Sequence, residues 1–198
     1  MKYLSWMTDR IKKSLPLILA VVLFSISLLI LTKDSLNRNQ GHLVYALDDG
    51  YIHMATAKNL AEFGVWGVTR YEFSSNSSSL LWTVVLAAVY WVFGPSEVAP
   101  FILNILFCVL SLVVVARFLR EMQLPGGVTG ILLVAAVYTG TMPILVFVGM
   151  EHGLEVFLDI LFIYQMGKYI WQPLQLFRQM EDEWDAYAYC EISPNLRN

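Results

Sequence analysis

Two adjacent carboxylates, Asp48 and Asp49, open the run DDGYIHMATAKNLAEFG, and a second acidic set, Glu151, Glu155 and Asp159, recurs every fourth position in MEHGLEVFLD. Paired carboxylates at a surface can take a proton from a hydroxyl or amide nucleophile, or share a divalent cation. They can equally cap a helix, since Asp at an N-cap is favoured over Ala by about 1 kcal/mol. Glu151 and Glu155 at i and i+4 would lie on one helix face, where like charges repel unless a cation, a ligand or a proton intervenes. Asp159 extends that face. A carboxylate at the centre of a spanning helix costs about 2.5–3.5 kcal/mol on insertion scales, so an acid there is a functional candidate, unless the block stays outside the bilayer and its acids are solvated.

The elements that must hold these groups are apolar blocks. Of 198 residues, 57% are apolar and 15% charged, against roughly 45–50% and 25% in an average soluble domain. The composition is that of a membrane protein. Thirteen bases against sixteen acids give a net charge of -3, and the bases cluster only at the N-terminus. A basic footprint for nucleic acid is missing. Cys108 and Cys190 are too few for a disulfide framework and have no metal-ligand spacing.

Spans of about 20 apolar residues are expected near 14–32, 78–94, 98–116 and 128–148, with 153–168 as a fifth. The fold class is therefore all-α, a polytopic transmembrane protein of four to five spans occupying residues 1–168. Arg10, Lys12 and Lys13 precede the first block, and no small-residue cleavage site follows it, as in an uncleaved signal anchor. The fourth block is interrupted by Thr139-Gly140-Thr141 and Pro143. Residues 169–198, with Glu181, Asp182, Glu183 and Asp185, read as a polar acidic tail, disordered or non-native. Trp66, Trp82 and Trp91 are expected to anchor membrane interfaces.

The basic N-terminal flank sets the N-terminus in the cytoplasm, so the loop 33–79 faces outward. Within it, Ile52, Ala55, Leu60 and Phe63 form one helical stripe ended by Gly64 and Gly67. This predicts an amphipathic juxtamembrane helix with the stripe toward lipid or neighbouring helices. Asn76-Ser77-Ser78 fits a glycosylation pattern but reads as the polar entry to the second span.

The stretches LDDGYIHMATAKNLAEFGVWG, SSNSSSLLWTVVLAAVYWVFG and FVGMEHGLEVFL resemble the N-terminal part of the polytopic GT-C glycosyltransferases that use polyprenyl-phosphate sugars. The matching features are Asp48-Asp49, Tyr51, the helix segment Ala57 to Leu60, Ser77 to Trp82, and Gly149 to Glu151, over roughly residues 10–165. Ser79 stands where such enzymes often carry proline. The resemblance implies inverting sugar transfer on the extracytoplasmic face of a bacterial inner or plasma membrane, with or without a divalent cation (Mg or Mn). It makes Asp48 or Asp49 the general base, and the two together the metal ligands of a metal-assisted form. Glu151 becomes a second acidic site near the acceptor or the carrier phosphate, and Tyr51, His53, Lys58 and His152 become substrate-binding residues. The implied partners are a lipid-linked sugar donor, a glycan, lipid or protein acceptor, and membrane lipids.

Such enzymes are much longer, so the chain is expected to be a fragment: the product of a truncated gene, or of a reading frame that drifts after about Lys168. Three single crossings would put Glu151 on the side opposite Asp48; a shared site requires a re-entrant or broken segment, for which Thr139 to Pro143 is the natural place. The alternatives are a transport or channel subunit with a path along Glu151, Glu155 and Asp159, and a non-catalytic membrane remnant.

Overall fold

The computed structural model describes residues 2–170 and 180, with side chains from residue 14 onward. The expected acidic tail lies almost entirely outside the described residues. The chain divides into two compact units, Met1–Ile160 and Leu161–Asn198. In the second, residues 161–170 are helical and the Lys168 ammonium lies 4.6 Å from the centre of the Tyr164 ring.

The first unit consists, among the described residues, of helices without strands: α1 (Lys2–Arg38), α2 (Asp49–Phe63), α3 (Leu80–Phe93), α4 (Ala99–Glu121), α5 (Gly126–Thr139) and α6 (Met142–Leu145). A 3-10 turn, Val146–Val148, follows, then α7 over residues 152–160. Two stretches are long and apolar enough to cross a membrane, Ser14–Arg38 and Ala99–Glu121. A third results if α5 and the segment Met142–Val148, bent by 42°, act as one broken span.

These two or three candidate spans are fewer than the four or five expected. The block near 78–94 condenses into the 14 residues of α3, about 21 Å at 1.5 Å per residue against a hydrocarbon core of about 30 Å. Gly94 ends α3 with φ 83°, and the polar string before Leu80 stays outside the helix. At the other end α1 runs on to Arg38, shortening the irregular part of the loop.

One core joins α1, α4, α5, α6 and the 3-10 turn through Phe24, Leu28, Leu112, Leu133, Val137, Met142 and Val146. The outer face of α1 leaves Leu15, Ile18, Leu29 and Ile30 more than half exposed, as expected of a helix whose solvent is lipid. A second core packs α2 on α3 and the start of α4 through Met54, Ala57, Trp82, Leu86 and Tyr90. Trp82 is fully buried there, its ring 6.5 Å from that of Phe107, so it is a core residue and not an interface anchor. Trp91 remains exposed.

The buried face of α2 also differs from the apolar stripe. It is made of Gly50, His53, Met54, Thr56, Ala57 and Asn59, while Phe63 is exposed. Small and polar residues win this face because each polar group finds a partner on it. Thr56 Oγ1 accepts from Asn76 Nδ2 at 2.8 Å, and Asn59 Nδ2 donates to the carbonyls of Gly67 and Val68, both at 2.8 Å. A satisfied buried amide costs little, whereas an unsatisfied one costs about 1–3 kcal/mol.

Candidate functional site

Three glycines bring the start of α2 against the turn that precedes α7. Gly149 adopts φ 73°, and a Cβ on it would sit 2.6 Å from Cδ1 of Tyr45. A Cβ on Gly50 would lie 3.2 Å from the carbonyl oxygen of Val148, and one on Gly153 would strike Asn104 Oδ1. Backbone can approach this closely only where the side chain is a hydrogen. The junction is tied by Ala46 N–H donating to the Phe147 carbonyl at 2.9 Å and by Asn104 Nδ2 donating to the Met150 carbonyl at 3.1 Å.

Tyr45 braces the other side. Its hydroxyl donates to the Glu97 carbonyl at 2.6 Å and accepts from Phe101 N–H at 3.1 Å. Its own N–H donates to the hydroxyl of Tyr51 at 3.0 Å. Burial pushes the Tyr45 phenol well above its usual range, so it stays protonated.

The break after α5 is what lets Glu151 reach this place. Gly140 and Thr141, the latter at φ 48°, stop the helix, and the short α6 starts beyond them with Pro143 in its first turn, where a missing N–H costs nothing. The chain turns, and Glu151 comes to face His53 of α2.

His53 is the centre of the arrangement, 1% exposed. Its Nδ1 lies 3.0 Å from Thr83 Oγ1 and 3.1 Å from Ser77 Oγ. Its Nε2 lies 3.2 Å from Ser78 Oγ. The hydroxyls of Thr83 and Ser77 both donate to the Ser79 carbonyl, at 2.9 and 3.0 Å, and approach each other at 2.7 Å. Each ring nitrogen therefore faces hydroxyl oxygen: Nδ1 those of Thr83 and Ser77, and Nε2 that of Ser78. Burial holds the imidazole below its usual range, while the Glu151 and Asp49 carboxylates oppose that by favouring the cation.

Glu151 Oε2 is 3.7 Å from Nε2. That is an ion-pair distance but too long for a hydrogen bond, and this buried oxygen has no hydrogen-bond partner. Glu151 also lines a cleft of about 330 Å³ with Glu155 and Asp159, the hydroxyl residues Ser78 and Ser79, and three leucines, Leu81, Leu154 and Leu158.

Asp48 and Asp49 are exposed at the entrance to α2. Asp48 occupies the N-cap position, yet its side chain makes no capping hydrogen bond. Its carboxylate is not consumed by the helix. Among the described residues no group of three or more His, Cys, Asp or Glu side chains is arranged to hold a metal; Asp48 and Asp49 offer two oxygen-bearing side chains of the kind Mg or Mn prefers.

Of the other expected site residues, Tyr51 braces Tyr45, their rings 5.7 Å apart. Lys58 is exposed on α2, away from its buried face. His152 turns to Glu155, with Nδ1 3.4 Å from Oε2. Asp49, His53 and Glu151 therefore come together, and Lys58 does not join them.

Sequence reading overlooked Ser77, Ser78 and Thr83 as partners of His53, and Asn104. The signals were present: Thr83 interrupts the apolar run Leu80–Phe93, and Asn104 is an amide inside an apolar block, where polar residues need a reason. Ser79, at the supposed proline position, caps α3, its side chain accepting from Trp82 N–H at 3.4 Å. No family model, curated protein or solved structure matches the chain.

Proposed function

We propose that this chain is a membrane glycosyltransferase component that moves a sugar from a polyprenyl-phosphate donor to an acceptor on the extracytoplasmic face. Asp49, or its neighbour Asp48, takes the acceptor proton; Glu151 binds beside it. The supporting observation is the gathering of Asp49, His53 and Glu151 by the junction of Gly50 with Val148 and Gly149. Glu151 borders the leucines of its cleft, beside which a lipid-borne substrate would present its head group. The N-terminus lies in the cytoplasm, and α3 and the helix that begins at residue 152 complete four to five passes where the bilayer thins around them.

A divalent cation would be held by Asp48 and Asp49 and would neutralise the carrier phosphate. The test is transfer of labelled sugar from a polyprenyl-phosphate donor in reconstituted vesicles. Removing a general base costs about 10²–10⁴-fold, so Asp48→Asn/Asp49→Asn should lower transfer by that factor with insertion unchanged. Undiminished transfer would dismiss the assignment.

A second reading, an ion path, draws on the three carboxylates that line the cleft. In that case flux across vesicles depends on Glu155 and Asp159, and Asp48→Asn leaves it unchanged.

A further inference from the structure

Ser78 is an exposed hydroxyl whose neighbour, 3.2 Å away, is Nε2 of the buried His53 imidazole, and none of the glycosyl-transfer chemistry above uses it. We propose that Ser78 is a nucleophilic serine with His53 as its general base, and that the adjoining cleft takes a carboxylic ester with an apolar acyl chain. The proposal is independent of sugar transfer.

Four observations carry it. Ser78 Oγ is 3.2 Å from His53 Nε2, within the range in which a base can remove the proton as the oxygen attacks. The ring is held from behind: Thr83 Oγ1 and Ser77 Oγ lie 3.0 and 3.1 Å from Nδ1, and both hydroxyls are anchored on the Ser79 carbonyl. That is the orienting role a third group must play for such a base. Glu151 Oε2, buried and without a hydrogen-bond partner, lies 3.7 Å from the same Nε2. It gains an attractive neighbour at the moment Nε2 takes the proton, so it stabilises the imidazolium and not the resting ring. Finally, Ser78 lines a cleft whose other walls include Leu81, Leu154 and Leu158, apolar surface for an acyl chain. The entrance of α3 next to Ser78 supplies amide N–H groups, those of Leu80 and Leu81, that an α-helix leaves without an intrahelical acceptor. They are the donors available to the oxyanion.

The step balances. Ser78 Oγ bonds to the ester carbonyl carbon while its proton passes to Nε2. The ester C–O bond breaks, and the departing alkoxide takes that proton to leave as an alcohol. Water, deprotonated by His53, then releases the carboxylic acid and restores the Ser78 hydroxyl. Glu155 and Asp159 make the cleft anionic, so neutral or cationic esters are preferred to acids. The titratable groups facing His53 are Asp49 from its own helix and Glu151; His152, Glu155 and Asp159 follow on α7; the Ser77–Thr83 side brings hydroxyls alone.

The test uses the full chain in detergent micelles with a fluorophosphonate probe, in which Ser Oγ displaces fluoride from phosphorus, followed by peptide mapping. The label should fall on Ser78 and disappear in Ser78→Ala, an exposed and conservative change. His53→Gln should slow labelling about 100-fold or more, the least a general base contributes. Thr83→Val, which removes an oxygen that holds Nδ1, should slow it about tenfold by loosening the orientation of the ring. The rate should fall as pH drops below 6.5, through the lowered value of His53. Absence of label on Ser78 in the folded wild-type chain would overturn the proposal, as would a labelling rate that His53→Gln leaves unchanged. Either result leaves the sugar-transfer reading standing, because that reading depends on Asp48 and Asp49.

Discussion

Replacing Gly149 by Ala should cost far more than adding a methyl group suggests. Gly149 has φ 73°, and its Cβ would lie 2.6 and 2.7 Å from Cδ1 and Cγ of Tyr45. A left-handed conformation costs a residue with a Cβ about 1–2 kcal/mol. The overlap adds about 1–3 kcal/mol, because an over-filled contact must be relieved by moving something. Tyr45 is poorly placed to move: it is 4% exposed, and its hydroxyl is held at both Glu97 and Phe101. The loss should therefore total about 2–5 kcal/mol. Equilibrium unfolding in mixed micelles, followed by tryptophan fluorescence, measures it. The control is Gly127→Ala: Gly127 lies in α5, and its Cβ would meet nothing within 4 Å. That variant should match the wild type or gain up to about 1 kcal/mol. If Gly149→Ala unfolds within about 0.5 kcal/mol of the wild type, the junction that brings Glu151 to His53 is not built as described.

Two further outcomes follow from the same geometry. Because the His53 pKa is lowered by burial from 6.5, the unfolded chain takes up that proton before the folded one does. Stability should be fully present above pH 6.5 and fall progressively below it, levelling off once the lowered value is passed; unfolding midpoints across that range should flatten in His53→Gln. Asn104→Ala strips the Met150 carbonyl of its donor and leaves space beside Gly153, for a cost of about 1–3 kcal/mol. An Asn104→Ala chain as stable as the wild type would remove that contact from the account.

What could be read in the sequence was mostly local. The helix from Asp49 to its glycine stop at Gly64 and the break at Gly140 to Pro143 are written in residue types whose backbone preferences are strong. The apolar blocks give their positions but not their crossing numbers, since α3 is too short by length alone and its ends depend on Ser79 and Gly94. The face that α2 buries is hidden from hydropathy, which ranks Ile52 and Phe63 above His53 and Asn59 and marks only the opposite stripe. Burial here follows hydrogen-bond partners that come from residues 67–83, remote in sequence from the helix that needs them. The acids Asp49 and Glu151 were visible as types. Their meeting was not, because it depends on glycines in close approach: Gly50 to the backbone of Val148 and Gly149 about 100 residues away, Gly149 to the Tyr45 ring and Gly153 to Asn104.

The most direct measurement of the central claim is the sidedness of the two acidic elements. In a Cys190→Ser chain, whose remaining Cys108 is buried, Asp48→Cys and Glu155→Cys are labelled separately with a membrane-impermeant maleimide in sealed vesicles of known orientation. Both positions should react from the same, extracytoplasmic side, since the start of α2 and the turn before α7 lie against each other. Reaction from opposite sides would separate Asp49 from Glu151 and dissolve the site.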